Sequence, residues 1–226
     1  MRRFIELNSV DSTNNFLHAN FRELPLPVFV RAEEQTAGRG RLERSWFSGA
    51  AGENLIMSAL VRLPPQAIAV TGVIAGMALY RALPQIPGLC IKWPNDIRIG
   101  ERKLAGILCE RIEHSDLVII GIGVNVHSVE FPLSVANIAT SLRSATGEQY
   151  DIRRLWVSVC RSLMRHLSQF SAPLSAEFLS DFRRVAWRYL VRPELGDSPV
   201  EFQNLLPDGR AQVMSGTGVV VLDIAD

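Results

Sequence analysis

Positive charge in this chain is almost wholly arginine, twenty-two residues against two lysines. Both lysines fall in one short stretch, Lys92-Trp93-Pro94-Asn95-Asp96 followed by Arg102-Lys103-Leu104-Ala105-Gly106-Ile107. A compact ammonium on a flexible stem does not do the work of a planar guanidinium, so the pair marks either a place that wants a movable point charge or a compositional accident. Upstream, Gln35-Thr36-Ala37-Gly38-Arg39-Gly40-Arg41 is followed by Arg44 and Trp46. Gly38 and Gly40 would let backbone N–H groups approach an anion, and Arg39, Arg41 and Arg44 add forked donors that suit phosphate. The block lacks the Gly-Lys-Ser/Thr ending of a Walker loop and does not open a helix as a dinucleotide fingerprint does. Trp46 either stacks on a purine or packs internally, and Gly/Arg stretches also bind RNA or stay disordered. Asn95 and Asp96 follow a proline and suit a Mg²⁺ bound through one carboxylate and substrate phosphates, or a plain turn closed by an Asx hydrogen bond. Lys103 opens an apolar strand and is expected to reach from the sheet edge towards a carboxylate or phosphate. Asn125, at the end of Gly121-Ile122-Gly123-Val124-Asn125, is a satisfied core amide or a ligand contact. Ser12, Thr13 and Asn14 read first as helix-cap residues. The four histidines are scattered and assemble neither a metal set nor a Ser/His/Asp triad, so the chemistry is expected to proceed without a catalytic histidine.

The elements that must hold these groups alternate along the chain. Residues 3–7 read as a strand, and Asp11-Ser12-Thr13 supplies cap chemistry for a helix to about Phe21, ended by Pro25 and Pro27. Residues 28–32 read as a strand feeding a glycine-studded loop over 33–52, and loops of that length inside a compact domain are commonly functional. A strand over 55–63 precedes a helix from Pro64-Pro65 to Leu83. Strands then follow over 89–93, 96–99, 103–112 and 117–126, several apolar throughout, as in a sheet covered by helices. Two covering helices come next; Ile152, Leu155, Trp156, Val159, Cys160, Leu163 and Leu167 share one face of the first. After Tyr189, short strands separated by Pro193, Gly196-Asp197, Asp208-Gly209 and Gly216 predict a small β unit.

At 226 residues and 47% hydrophobic, the chain can bury one substantial core and a small second one. Its net charge of +1 gives no bulk basic field for generic nucleic-acid or membrane binding. Cys90, Cys109 and Cys160 lie in apolar surroundings without metal-like spacing and read as buried thiols in a reducing compartment. With no signal peptide and no run near the roughly 20 apolar residues of a spanning helix, a soluble cytoplasmic protein is expected.

Six blocks in order resemble the biotin protein ligases: Asp11-Ser12-Thr13-Asn14; Glu34 to Arg41 with Arg44 and Trp46; Asn54-Leu55; Lys92 to Asp96; Arg102 to Leu108; and Gly121 to Asn125. The resemblance is strong over residues 5–128 and looser beyond. It implies an α+β fold: a class II synthetase-like mixed sheet with covering helices over residues 1–188, and a small SH3-like β-barrel over 189–226. It implies an ATP-dependent biotin-[acetyl-CoA-carboxylase] ligase that makes biotinyl-5′-adenylate and transfers biotin to a lysine of a biotin carboxyl carrier protein, with ATP and Mg²⁺. By the same resemblance Ser12, Thr13, Asn14, Gln35, Gly38, Arg39, Gly40, Arg41, Lys103 and Gly106 hold biotin. Arg41, Arg44, Trp46, Lys92, Asn95 and Asn125 serve ATP, with Asn95 and Asn125 near its metal. Lys103, Arg41 and Asp96 are the catalytic candidates, Asp96 to orient or deprotonate the incoming lysine.

The chain departs from the family at Glu43, which adds a negative charge beside Arg44, and its C-terminal unit is short. Only ten residues precede Asp11, so no winged helix and no specific DNA binding are expected. The resemblance also implies a homodimer formed through the sheet. The rivals are a lipoate or octanoate ligase or transferase, and a non-enzymatic RNA-binding module; the Gly-Arg-Gly-Arg block favours biotin, and near-zero net charge disfavours RNA.

Overall fold

The computed structural model describes residues 3–42, 44–169, 173–195, 198–216 and 218–224. The order is β1 (Phe4–Val10), α1 (Thr13–Asn20), β2 (Val28–Gln35), β3 (Leu55–Arg62), α2 (Pro65–Ile68), α3 (Thr71–Ala82), β4 (Leu89–Lys92), β5 (Asp96–Ile99), β6 (Arg102–Arg111), β7 (Leu117–Val124), α4 (Leu142–Thr146), α5 (Ile152–Ser168) and α6 (Ala176–Val185). A second group follows: β8 (Tyr189–Leu190), β9 (Val200–Leu205), β10 (Ala211–Ser215) and β11 (Gly218–Leu222). Seven strands form one sheet in the order β1-β2-β3-β7-β6-β5-β4. Only β1 and β2 run parallel, joined through α1; every other pairing is antiparallel. The last four form a small antiparallel sheet, β11-β10-β9-β8, where the small barrel was expected. The expected mixed α+β architecture is therefore present.

The two-residue period of a strand explains how the large sheet acquires two different faces. In β3, Leu55, Met57, Ala59 and Val61 enter the main core with α3 and α5, while Leu60 turns to the smaller core under α1. In β7, Val118, Ile120, Ile122 and Val124 serve the main core, and Leu117 and Ile119 the smaller one. Helix α3 is buried over nearly its whole circumference, which fits an apolar helix between a sheet and another helix. Helix α5 buries Ile152, Leu155, Trp156, Val159, Cys160 and Leu163 as its spacing predicts, although Leu167 stays half-buried. Asp151 caps α5 and Ser175 caps α6, each accepting the backbone N–H three residues on.

Three expectations are corrected. The helix predicted from Pro64-Pro65 to Leu83 is two pieces broken at Val70, whose side chain abuts Gly209 of the second sheet. The loop begins later than residue 33, because β2 runs to Gln35. Ser12 sits at the N-cap of α1 with extended backbone, yet its side chain makes no cap hydrogen bond. The expected turn at Gly196-Asp197 lies outside the described residues. The small sheet shares the main core rather than building its own: Val200, Phe202, Leu205, Val213 and Leu222 join the cluster that holds Leu79 and Ile91.

Candidate active site

On the α1 side of the sheet, the alternation that buries Leu117 and Ile119 continues into Gly121 and Gly123, so the floor sinks where side chains would otherwise stand. A Cβ on Gly121 would lie 2.4 Å from Asn14 Oδ1, and one on Gly123 would lie 2.4 Å from the Trp46 ring. On β6, the same face presents Gly106, against which Trp46 Cζ3 and the Lys103 stem pack. The result is a cleft of about 610 Å³ lined by most of the residues singled out above: Ser12, Thr13, Asn14, Gln35, Arg39, Gly40, Arg41, Arg44, Trp46, Lys92, Asn95, Asp96, Lys103, Gly106 and Asn125. Helix α1, strands β2 to β7 and the loop between β2 and β3 converge to make it.

One wall is polar and uncharged. Thr13 donates its N–H to Gln35 Oε1 at 2.8 Å, its hydroxyl lies 2.6 Å from Ser58 Oγ, and Ser58 donates to Asn14 Oδ1 at 2.5 Å. Behind it, Asn14 Nδ2 donates to Glu110 at 2.5 Å, and Arg39 reaches the same carboxylate at 3.2 Å. Ser12, Thr13, Asn14 and Ser58 are all buried.

The opposite end is cationic. Lys103 Nζ lies 2.6 Å from Asp96 Oδ1 and 5.6 Å from the Trp46 ring centroid. Lys92 stands directly across the β4–β5 ladder from Asp96, and its pKa is lowered by burial, with Asp96 acting the other way. Arg41 is also lowered, first by burial and then by the Arg192 guanidinium nearby. Its side chain donates to the Ile224 carbonyl at 2.7 Å. Arg192, from the chain after β8, lies 5.3 Å from the Trp93 ring and lines the same cleft. Cations gathered round one aspartate in a cleft are suited to a polyanion.

Several readings change with these contacts. The Gly38–Gly40 segment is not an open nest of N–H groups: Gly40 N donates to Arg44 O at 2.7 Å and Trp46 N to Gly38 O at 2.8 Å, so the loop folds back as a short antiparallel ladder. Gly38 is required for close packing, since a Cβ there would lie 2.8 Å from Trp46 O. Lys103 is not at a sheet edge; β6 lies between β5 and β7, and the Lys103 backbone exchanges hydrogen bonds with Ile138 and Thr140 of the segment over the cleft. Asn95 and Asn125 both tie down backbone through Nδ2, to Ile107 O at 2.8 Å and Thr140 O at 2.9 Å, while still facing the cleft. Trp46 rests on the glycine floor, its Nε1–H buried with no hydrogen-bond partner among the described residues. Glu43 lies outside the described residues.

Sequence reasoning passed over Ser58, Glu110, Arg192 and Phe131. Ser58 carried a signal, being the one polar residue in the run from Leu55 to Val61, and so did Glu110 as the one acidic residue of β6. Phe131 stacks edge-on with Phe47 across the mouth, a contact with no local pattern behind it. Asn54, quoted above without a role, pins the loop: Nδ2 donates to Ser48 O and Ser128 Oγ, and Oδ1 accepts from Val126 N.

The geometry has counterparts. Residues 6–126 match the model of the biotin/lipoate A/B protein ligase family. The bifunctional ligase/repressor BirA of Bacillus spizizenii is 40% identical over 153 residues, covering 63% of this chain and 46% of that protein. The chain thus spans about half the length of that relative. The biotin--[acetyl-CoA-carboxylase] ligase of Mycobacterium tuberculosis is 32% identical over 213 residues, 88% of this chain and 77% of that one. Among solved structures, the biotin protein ligase of Aquifex aeolicus in complex with biotin and ATP superposes with a TM-score of 0.77 at 27% identity, covering 98% of this chain and 96% of that chain. With a glycine-floored cleft, a neutral polar wall and a cationic end set into such a fold, the chain belongs to the biotin/lipoate A/B protein ligase family.

Proposed function

We propose that the chain is a biotin protein ligase, which activates biotin with ATP and passes it to a lysine of a biotin carboxyl carrier protein. The observation that carries this reading is the Lys103–Asp96 pair beneath Trp46, 2.6 Å apart, in a cleft that also holds the polar wall of Thr13 and Gln35. A neutral wall of hydroxyl and amide groups suits a ureido ring, and the cationic end suits two anions that must meet.

In the first step the biotin carboxylate attacks the α-phosphorus of ATP, the anhydride bond forms, and pyrophosphate leaves with its electron pair. Lys103 holds the carboxylate, and Arg41 and Arg44 neutralise phosphate oxygens where charge accumulates. Trp46 presents a ring face to the adenine and, over Gly106 and Gly123, closes the biotin side from water. In the second step the carrier amine attacks the activated carbonyl and AMP departs. That amine is mostly protonated near neutral pH and must give up a proton. Asp96, already at the reacting end, accepts or orients it, while Lys103 stays with the carbonyl. Mg²⁺ fits only as a passenger on the nucleotide: the cleft offers the amide oxygens of Asn95 and Asn125 and the Asp96 carboxylate, and no group of three His, Cys, Asp or Glu side chains among the described residues could hold a metal alone. When bound it would offset triphosphate charge. Residues 1–188 would carry this chemistry and 189–226 would lend Arg192 to its rim, a division supported by the second sheet's start at Tyr189. The three free thiols support a reducing, cytoplasmic setting, and no described helix is long and apolar enough to cross a membrane.

The test is exchange of labelled pyrophosphate into ATP with biotin, octanoate, lipoate or no acid. Exchange with biotin alone is expected. Exchange with the fatty acids would move the protein to the lipoate branch of the family, and exchange with none would overturn the adenylation reading.

A further inference from the structure

Behind the polar wall, the hydrogen-bond chemistry orders the proton directions outward from Glu110. Glu110 Oε2 lies 2.5 Å from Asn14 Nδ2, and since a carboxylate only accepts, the amide NH2 must face Glu110 and Asn14 Oδ1 must face Ser58. Ser58 donates its single proton to that oxygen at 2.5 Å. Thr13 Oγ1 stands 2.6 Å from Ser58 Oγ, which has no proton left, so the single Thr13 hydroxyl proton lies within reach of both Ser58 Oγ and Gln35 Oε1, and the shorter contact claims it. The Thr13 hydroxyl then has nothing to give Gln35 Oε1, 3.0 Å away, which accepts instead from the Thr13 N–H at 2.8 Å. Two oxygens, Thr13 Oγ1 and Gln35 Oε1, are left 3.0 Å apart at the cleft wall with no proton between them. Such a pair repels until a donor arrives from the ligand. Gly121 permits the arrangement, because a Cβ there would lie 2.4 Å from Asn14 Oδ1.

We infer that Glu110, which does not line the cleft, is a positioning residue that fixes the direction of this relay, so that the wall reads an N–H donor on the ligand. The ureido ring of biotin carries N–H groups; the chains of octanoate and lipoate carry none. The inference rests on the biotin reading and gives it a source of selectivity one layer behind the residues that touch the ligand. Arg39, 3.2 Å from Glu110, ties the 36–54 loop to the same carboxylate, so loop and relay share one anchor.

Calorimetric titration of biotin into the full chain, with melting temperatures alongside, tests it. In Glu110→Gln the new amide can donate to Asn14 Oδ1 and reverse the relay, and the biotin Kd is expected to rise about tenfold, the scale of one hydrogen bond. Asn14→Asp alone sets two carboxylates against each other and is expected to lose more. The double variant Asn14→Asp/Glu110→Gln restores an acceptor for Ser58 and a donor behind it, so the Kd should return to within about threefold of wild type. A merely structural role gives no reason for that recovery. Ser58→Ala, which removes the middle donor with little change of volume, should also weaken biotin about tenfold and serves if Asn14→Asp fails to fold. Wild-type affinity in Glu110→Gln, or a folded double variant no tighter than its weaker parent, overturns the relay and leaves the ligase reading standing. Failure of the wild-type chain to bind biotin overturns both.

Discussion

Lys103 is the residue on which most depends, because its ammonium touches Asp96 and lies over Trp46 while its backbone is clamped to the segment above the cleft. Lys103→Arg keeps the charge but puts a wider, planar group where a point charge reaches a carboxylate, so pyrophosphate exchange should fall by about a hundredfold. Lys-to-Arg tolerance there would contradict the assignment. Asp96→Asn should separate the two half-reactions: exchange survives in part, whereas single-turnover transfer from preformed adenylate falls further, since the amide takes no proton from the incoming amine. The thiols are spectators. Burial pushes Cys90 up to about 11 and Cys109 and Cys160 to about 12, against an ordinary 9.0. A raised pKa means the folded chain holds the proton longer, so the thiols' contribution to stability is full below pH 9 and is lost as pH climbs towards 11 and 12. At pH 8, iodoacetamide should therefore modify Cys109 and Cys160 about a thousandfold more slowly than in denaturant. The lysines, the arginines and Asp96 were legible in the sequence because residue type alone set them apart. Ser58 and Glu110 were not, since one polar residue in an apolar strand reads equally as an outward side chain until its neighbour on α1 is known.

At the scale of elements, the cleft exists because β7 replaces bulk with glycine on one face over two successive turns of its alternation. Gly123→Ala would drive a methyl into the Trp46 ring and should cost about 1 to 3 kcal/mol or expel the indole, read as lost quenching or a red shift of Trp46 emission together with weaker ATP and biotin binding. The strands were legible to within a few residues because each carries an apolar run, as in β3 and β7, or an alternation, as in β1 and β9, and helix α5 because its period is regular. The break between α2 and α3 was not, because no local residue marks it: Val70, where the helix is interrupted, packs against Gly209, a contact between segments distant in sequence. Nor was the fold-back of the Gly38–Arg44 loop: glycine and arginine content is the same whether backbone N–H groups face an anion or each other.

Across the whole molecule, the small sheet is wired to the chemistry at three points. Trp93 Nε1 donates to Gly209 O at 3.0 Å, Arg41 donates to Ile224 O at 2.7 Å, and Arg192 stacks on Trp93. Trp93 is buried, so Trp93→Phe strands the Gly209 carbonyl and should lower unfolding stability by about 1 to 3 kcal/mol in urea titration. Because the core is continuous between the sheets, that loss should appear as one transition rather than two. The presence of a terminal β unit was readable from its turn residues; its joining of the main core was not, since strand periodicity does not say what a strand packs against. The account as a whole stands or falls on group transfer. The direct measurement is the intact mass of a biotin carboxyl carrier domain after incubation with the chain, ATP, Mg²⁺ and biotin, beside a carrier whose acceptor lysine is replaced by alanine. A single biotinyl addition to the first carrier and none to the second is the result expected. An unmodified carrier, under conditions where the chain is folded and exchanges pyrophosphate with biotin, would contradict it.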